Sequence, residues 1–217
     1  MQLFNRSSKA RDTSVRAATP SGIEFFLTQP AAGTNRNGAG SVTAFTSANS
    51  AAGVSHVVRK LAAQLATQTR ESTAIIETAC LASLRAPEST DLRARCARTN
   101  IDQLWMLRKS TNGNGHHPSS ASSADAPDTG GGFDCVQQLR STFRHTFLDC
   151  PPISESSEVA FLAPQVDGVV LIVEADFTKR EQILRARQTI EMAGGKLVGM
   201  VLNKRRHVVP QWLYRML

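Results

Sequence analysis

VTAFTSANSAAGVSHVVRKLAAQLA, from Val42 to Ala66, is the stretch whose reading settles the fold class. Val42–Thr46 is apolar and β-branched enough for a strand. From Ser55 to Thr69 the residues Val57, Val58, Leu61 and Leu65 fall on one stripe at helical spacing. Between them lies a loop of small residues: Ala48, Ser50, Ala51, Ala52 and Gly53. A strand, a loop that lets backbone approach a ligand closely, and a helix N-terminus are together the parts of a phosphate cradle. Taken alone, they also fit an ordinary turn between a strand and a helix.

The loop departs from the G-K-[ST] pattern of a phosphate-binding P-loop. The chain has Gly53-Val54-Ser55 there. Ser55 stands where a hydroxyl would hold Mg²⁺, but Val54 cannot donate to phosphate or neutralise charge that develops in phosphoryl transfer. Ala51 replaces a loop glycine, and a Cβ at that place is expected to bar a positive φ.

Outward from the loop, further short apolar runs read as strands: Thr73–Glu77, Leu104–Leu107, Thr146–Asp149, Gly168–Glu174 and Leu197–Leu202. Several are apolar at consecutive positions, as strands covered on both faces are. A helix is expected over Thr178–Ala193, with Thr178 and Glu181 as a capping box and Gly194–Gly195 as its stop. The alternation predicts an α/β fold: three-layer, doubly wound, with a mostly parallel sheet of the P-loop NTPase type. Function is then expected at the carboxyl ends of the strands. There Asp149, before Cys150-Pro151-Pro152, can hold a water on bound Mg²⁺ or orient an attacking group. Asn203, in Val201-Leu202-Asn203-Lys204, can read an adenine edge. Singly, Asp149 also fits a helix cap and Asn203 a strand-end turn. Their order along the chain makes them a set.

Leu148-Asp149-Cys150-Pro151-Pro152, then Val166-Asp167-Gly168-Val169, Thr178 with Glu181, Ala193-Gly194-Gly195 and Val201-Leu202-Asn203-Lys204 resemble the CpsD/CapB family of bacterial tyrosine kinases. These are ATPase partners of capsule and exopolysaccharide chain-length proteins, within the MinD/ParA-type group of deviant P-loop ATPases. The resemblance implies a MgATP site of three motifs. The first runs from Thr46 to His56 and includes Ala51, Ala52, Gly53, Val54, Ser55 and His56, with the family's proline, lysine and second hydroxyl replaced by Ser50, Val54 and His56. The second keeps one of two carboxylates, as Glu77, and has Ala79 for the other. The third, at Asp149, is intact. Glu77 and Asp149 are thus the candidate catalytic residues, Ser55 and Asp149 the candidate Mg²⁺ ligands. The family's kinases carry a C-terminal tyrosine cluster; here Tyr214 is the one tyrosine in the chain.

Lysine, carboxylate and phospho-acceptors are eroded together. The resemblance therefore implies a regulatory pseudo-kinase that acts with a membrane polysaccharide co-polymerase. Two other readings stay open: an active ATPase or kinase using Arg59, Lys60 or Lys204 as its cation, and a MinD/ParA-like scaffold at the membrane.

Length and composition agree with one such domain: 217 residues suffice for a core without staples. The expected organisation is a flexible arm over 1–40, the domain over 41–209 with a low-complexity loop at about 110–132, and an amphipathic tail over 210–217. No run approaches a membrane span, and the N-terminus lacks a secretory core, so a cytoplasmic protein is expected, with peripheral contact at the inner membrane as an option. Cys80, Cys96, Cys135 and Cys150 lack metal-ligand spacing and read as small apolar fillers; His116 and His117 read as solvated. From Lys179 onward there are nine Lys/Arg against two Asp/Glu, which suits a docked helix or an anionic membrane surface. No aromatic-basic platform stands out, so no nucleic-acid partner is expected.

Overall fold

In a computed structural model, residues 2–4, 39–85, 92–108 and 131–205 are described. The strands are β1 (Gln2–Phe4), β2 (Ser41–Ser47), β3 (Thr73–Glu77), β4 (Ala97–Arg98), β5 (Leu104–Leu107), β6 (His145–Asp149), β7 (Gly168–Glu174) and β8 (Leu197–Asn203). The α-helices are α1 (Val54–Thr69), α2 (Leu92–Arg95), α3 (Gly131–Thr142), α4 (Glu158–Leu162) and α5 (Arg180–Met192), with a 3₁₀ segment at Thr78–Arg85.

All eight strands form one sheet, in the order β1-β8-β7-β2-β6-β3-β5-β4. The six central strands are parallel, and the edge strands β1 and β4 pair antiparallel. The six strands expected from the apolar runs are those six. The two edges are too short to carry a periodic signal.

Alternation along each strand divides the core. Phe45, Ile75 and Phe147 point to one face and pack with Val57, Val58, Leu61 and Leu65 of α1. The rings of Phe45 and Phe147 lie 4.9 Å apart. Val42, Ala44, Ile76 and Leu148 point the other way, onto α3, α4 and α5. Each fully buried Phe or Leu contributes about 1.5–3 kcal/mol.

From β2 the chain crosses past β6 to β3; from β6 it crosses past β2 to β7. The two connections therefore diverge above the β2/β6 pair, and such a switch point leaves a crevice at the carboxyl ends.

Two expectations are corrected. The start of α5 is one residue later than read. Lys179 is its N-cap, and Lys179 N–H donates to Gln182 Oε1 at 2.9 Å. Thr178 Oγ1 is used elsewhere: it donates to Asn49 Oδ1 at 2.9 Å and accepts from Glu174 N at 3.1 Å. Second, α3 begins at Gly131, inside the stretch read as loop to 132. Of the expected arm, residues 2–4 form β1 and residues 39–40 lead into β2; residues 1 and 5–38, the 110–130 stretch with His116 and His117, and the 210–217 tail lie outside the described residues. All four cysteines are buried and none is in a disulfide. Among the described residues, no helix is long and apolar enough to cross a membrane.

Candidate functional site

The crevice holds a cleft of about 510 Å³. Its walls are the β2–α1 loop from Ala51 to His56, the β3 end with Glu77, Thr78 and Ala79, the β6 exit from Asp149 to Pro152, and Glu158 of α4.

The loop is shaped from outside. Asn203 Nδ2 donates to Ala52 O at 2.9 Å, and Lys204 Nζ donates to Ala51 O at 2.5 Å and to Glu174 Oε1 at 3.1 Å. Ser47 Oγ donates to Asn49 O at 2.8 Å, and Ser50 Oγ donates to Glu155 Oε1. The β8 end thus holds two loop carbonyls away from the cleft. At the other side, the first bond of α1 is Val57 N–H to Gly53 O. The N–H groups of Val54, Ser55 and His56 have no acceptor within the helix, as at any helix start. These donors and the helix dipole make the loop an anion cradle.

The backbone that achieves this is strained. Gly53 has φ 83°, and a Cβ there would sit 2.6 Å from Asn203 Nδ2. Ala51 has φ 65°. The expectation that alanine bars a positive φ at 51 is therefore overturned. The contact of Lys204 on Ala51 O and the bond of the neighbouring Ser50 to Glu155 hold the turn in a conformation that costs a non-glycine residue about 1–2 kcal/mol.

The structure brings most of the candidate residues together. Ser55 and Asp149 line the same cleft, close enough for the hydroxyl to favour the charged carboxylate. Glu77 is the register partner of Asp149 on the adjacent strand, and Arg108 lies 3.7 Å from Glu77 Oε1. Burial raises the Asp149 carboxyl above the ordinary carboxylate range; the Ser55 hydroxyl opposes this, Glu77 adds to it, and Arg59 on α1 works against it. Val54 is buried, and His56 is exposed at the cleft wall. Asn203 stands behind the loop, with its amide nitrogen committed to Ala52 O, where sequence reasoning had it reading an adenine edge.

Two glutamates of the site were not anticipated, and Lys204, read as an alternative cation, has a different place. Glu158 lines the cleft and accepts from Thr78 Oγ1 at 2.6 Å; Glu155 holds Ser50; and Lys204 braces the loop. The two glutamates enter through the turn after the paired prolines, and no spacing in the sequence marks them. The Cys150 thiol also lines the cleft, but burial pushes its pKa far up, so it is no nucleophile.

The residues fit MgATP only in part. Ser55 and Asp149 are suitable donors for a Mg²⁺ ion, and a raised carboxyl gains from a cation beside it. No described group of three or more His, Cys, Asp or Glu could hold a metal, so a cation here would also need oxygens from its ligand. The loop amides would take phosphate oxygens. Val54 leaves the β/γ-phosphates without the cation that usually meets them.

The parallel sheet, its crevice and the loop define the class: a P-loop NTPase fold of the MinD type. No family model matches the chain. Tyrosine-protein kinase CpsD of Streptococcus agalactiae is 32% identical over 69 residues, covering 32% of this chain and 30% of that protein. The match thus spans less than a third of the relative's length. Among solved structures, the chimerical protein CapA2B2 superposes with a TM-score of 0.61 at 19% identity, covering 84% of this chain and 80% of the other. The septum site-determining protein MinD of Pyrococcus horikoshii, complexed with Mg-ADP, gives 0.54 at 11% identity, covering 82% and 77%. The likeness to the CpsD and CapB kinases thus extends over about a third of this chain, and the likeness of fold over most of it.

Proposed function

We propose that this chain is a kinase-like regulatory protein of exopolysaccharide or capsule chain-length control and export, which keeps the nucleotide cradle and has lost phosphoryl transfer. Its partner is a membrane polysaccharide co-polymerase, and it works at the cytoplasmic face of the inner membrane. One observation carries the reading. The loop is held in cradle shape by Asn203 and Lys204, and Ser55 and Asp149 line the same cleft, yet the residue at the lysine position is a buried valine.

The nearby cations are differently employed. Lys204 is on the far side of the loop, bound to Ala51 O and Glu174. Arg108 faces Glu77. With Glu77, Asp149 and Glu158 lining the same cleft, a polyphosphate would meet carboxylates with no lysine between. Electrostatic stabilisation, the main term in phosphoryl transfer, is therefore missing. Nucleotide, with Mg²⁺ on Ser55 and Asp149, acts in this reading as a ligand that orders the site for the partner.

A second reading rests on Arg59. It is one helical turn from Ser55 and its charge acts on Asp149, so it is the candidate replacement cation of an active ATPase. Radiolabelled ATP turnover separates the two. The proposal expects no release of phosphate above background. Hydrolysis that is abolished by both Asp149→Ala and Arg59→Ala would reject it in favour of the active enzyme.

A further inference from the structure

The turn that leads from the paired prolines into α4 is anchored at both ends. At its start, Pro151 O accepts from Thr46 Oγ1 at 2.7 Å, and Ile153 N–H donates to Ser47 O at 2.9 Å, so β2 fixes it. At its far end, Val159 and Leu162 are packed into the core. Between these anchors Ser154, Glu155, Ser157 and Glu158 are exposed. The backbone there folds on itself: Glu155 N–H and Ser156 N–H both donate to Pro152 O.

Two side chains of this stretch reach out to different walls of the cleft. Glu155 Oε1 accepts from Ser50 Oγ in the phosphate loop. Glu158 Oε2 accepts from Thr78 Oγ1, at the end of β3, at 2.6 Å. Thr78 is only 7% exposed, so its hydroxyl has little access to water, and the glutamate takes the place of that acceptor. Hydrogen bonds in which the acceptor is ionised are the short, strong ones. In both contacts a carboxylate sits on a hydroxyl donor beside a loop shaped for an anion.

We propose that this turn is an autoinhibitory strap, in which Glu155 and Glu158 act as internal anions that a phosphate ligand must release in order to bind. The inference rests on the reading of the cleft as a nucleotide cradle and adds what holds that cradle in check. Phosphate oxygens at the amides of Val54, Ser55 and His56 meet nearby carboxylates of like charge, and Val54 supplies no cation to separate them. Strap and ligand therefore compete. Release is local, because the anchors at Pro151, Ile153 and Val159 stay in place. The hydroxyls of Ser50 and Thr78, once freed, become donors for the entering phosphate.

The test titrates the full chain with MgADP and, separately, with inorganic pyrophosphate in a calorimeter. Three proteins are compared: wild type, Glu155→Gln with Glu158→Gln, and Glu155→Asp with Glu158→Asp. Aspartate keeps the charge but is one methylene shorter, so it gives up the contact. Both glutamates are exposed, and circular dichroism checks that the variants are folded. Losing a hydrogen bond to a charged group should tighten binding about tenfold in both double variants, with either ligand. Amide hydrogen exchange in the turn should also quicken when MgADP binds to wild type. If the Gln pair tightens binding while the Asp pair matches wild type, charge alone is at work; the strap is overturned and the cradle stands. Equal affinities in all three proteins overturn the strap in the same way. If none of the three binds MgADP or pyrophosphate, the cradle reading itself is rejected, and the strap with it.

Discussion

Replacing Val54 with lysine tests whether the cradle is formed and merely uncharged. Val54 is 9% exposed, at the first turn of α1, beside the cleft that Asp149, Glu77 and Glu158 share. A lysine stem can occupy the apolar space and carry its ammonium into the cleft. A hydrogen bond to a charged group contributes about 1.5–3 kcal/mol net, which is about 10- to 150-fold in affinity. Two features of this site hold the gain near the lower end. Without nucleotide, the new ammonium already has Asp149 as a partner, so part of its attraction is present before binding. It also sits at a helix N-terminus, where a cation is disfavoured by about 0.3–1 kcal/mol. The expectation is a roughly tenfold tighter Kd for MgATP in Val54→Lys, with thermal stability of the free protein lowered by about 1 kcal/mol or less. Isothermal titration of both proteins with MgATP, and with ATP in EDTA, reads it. Equal affinities in the two proteins, with the variant folded, would refute the preformed cradle.

Three further predictions concern stability. Ala51→Gly should raise stability by about 1 kcal/mol, because φ 65° is strained for alanine and free for glycine; urea denaturation showing a loss instead would mean that the loop is not held in that conformation. Asp149 has a carboxyl pKa raised by burial, so the folded state holds the proton more tightly than the unfolded chain. Stability from this group is present at acidic pH and is lost as pH rises through the folded pKa. Asp149→Asn should therefore melt higher than wild type at neutral pH, with the gap narrowing toward pH 4; a gap independent of pH would count against the burial argument. Finally, Arg140 Nη1 lies 2.6 Å from Asp167 Oδ2, itself the acceptor of Val42 N–H at 2.7 Å, and both side chains are mostly buried. Arg140→Ala should cost about 3 kcal/mol by leaving that carboxylate unpaired, whereas adding Asp167→Ala should cost less than the sum of the two single losses.

The substitution at 54 was legible from Gly53-Val54-Ser55 alone, since it concerns which residue follows the loop glycine. The same holds for the six parallel strands. Their β-branched apolar runs are local, and burial on both faces leaves no room for another reading of Gly168–Glu174. Asp149 was legible because an apolar strand ends on it and two prolines follow. Other parts of the site were not. Glu158 reaches the cleft through a turn whose path depends on α4 packing Val159 and Leu162 into the core. The conformation of Ala51 contradicts the local preference of alanine, and depends on Lys204, 153 positions away, donating to its carbonyl.

What the sequence determined by itself, then, is the class of fold, the position of the phosphate loop and the absence of its lysine, because strand and helix periodicity and residue chemistry are short-range properties. What only the tertiary structure decided is that the loop keeps a cradle shape without that lysine. Asn203 and Lys204 turn its carbonyls outward from a strand that adjoins it in space and not in sequence, and that pairing exists only once β8 has taken its place beside β7 in the sheet.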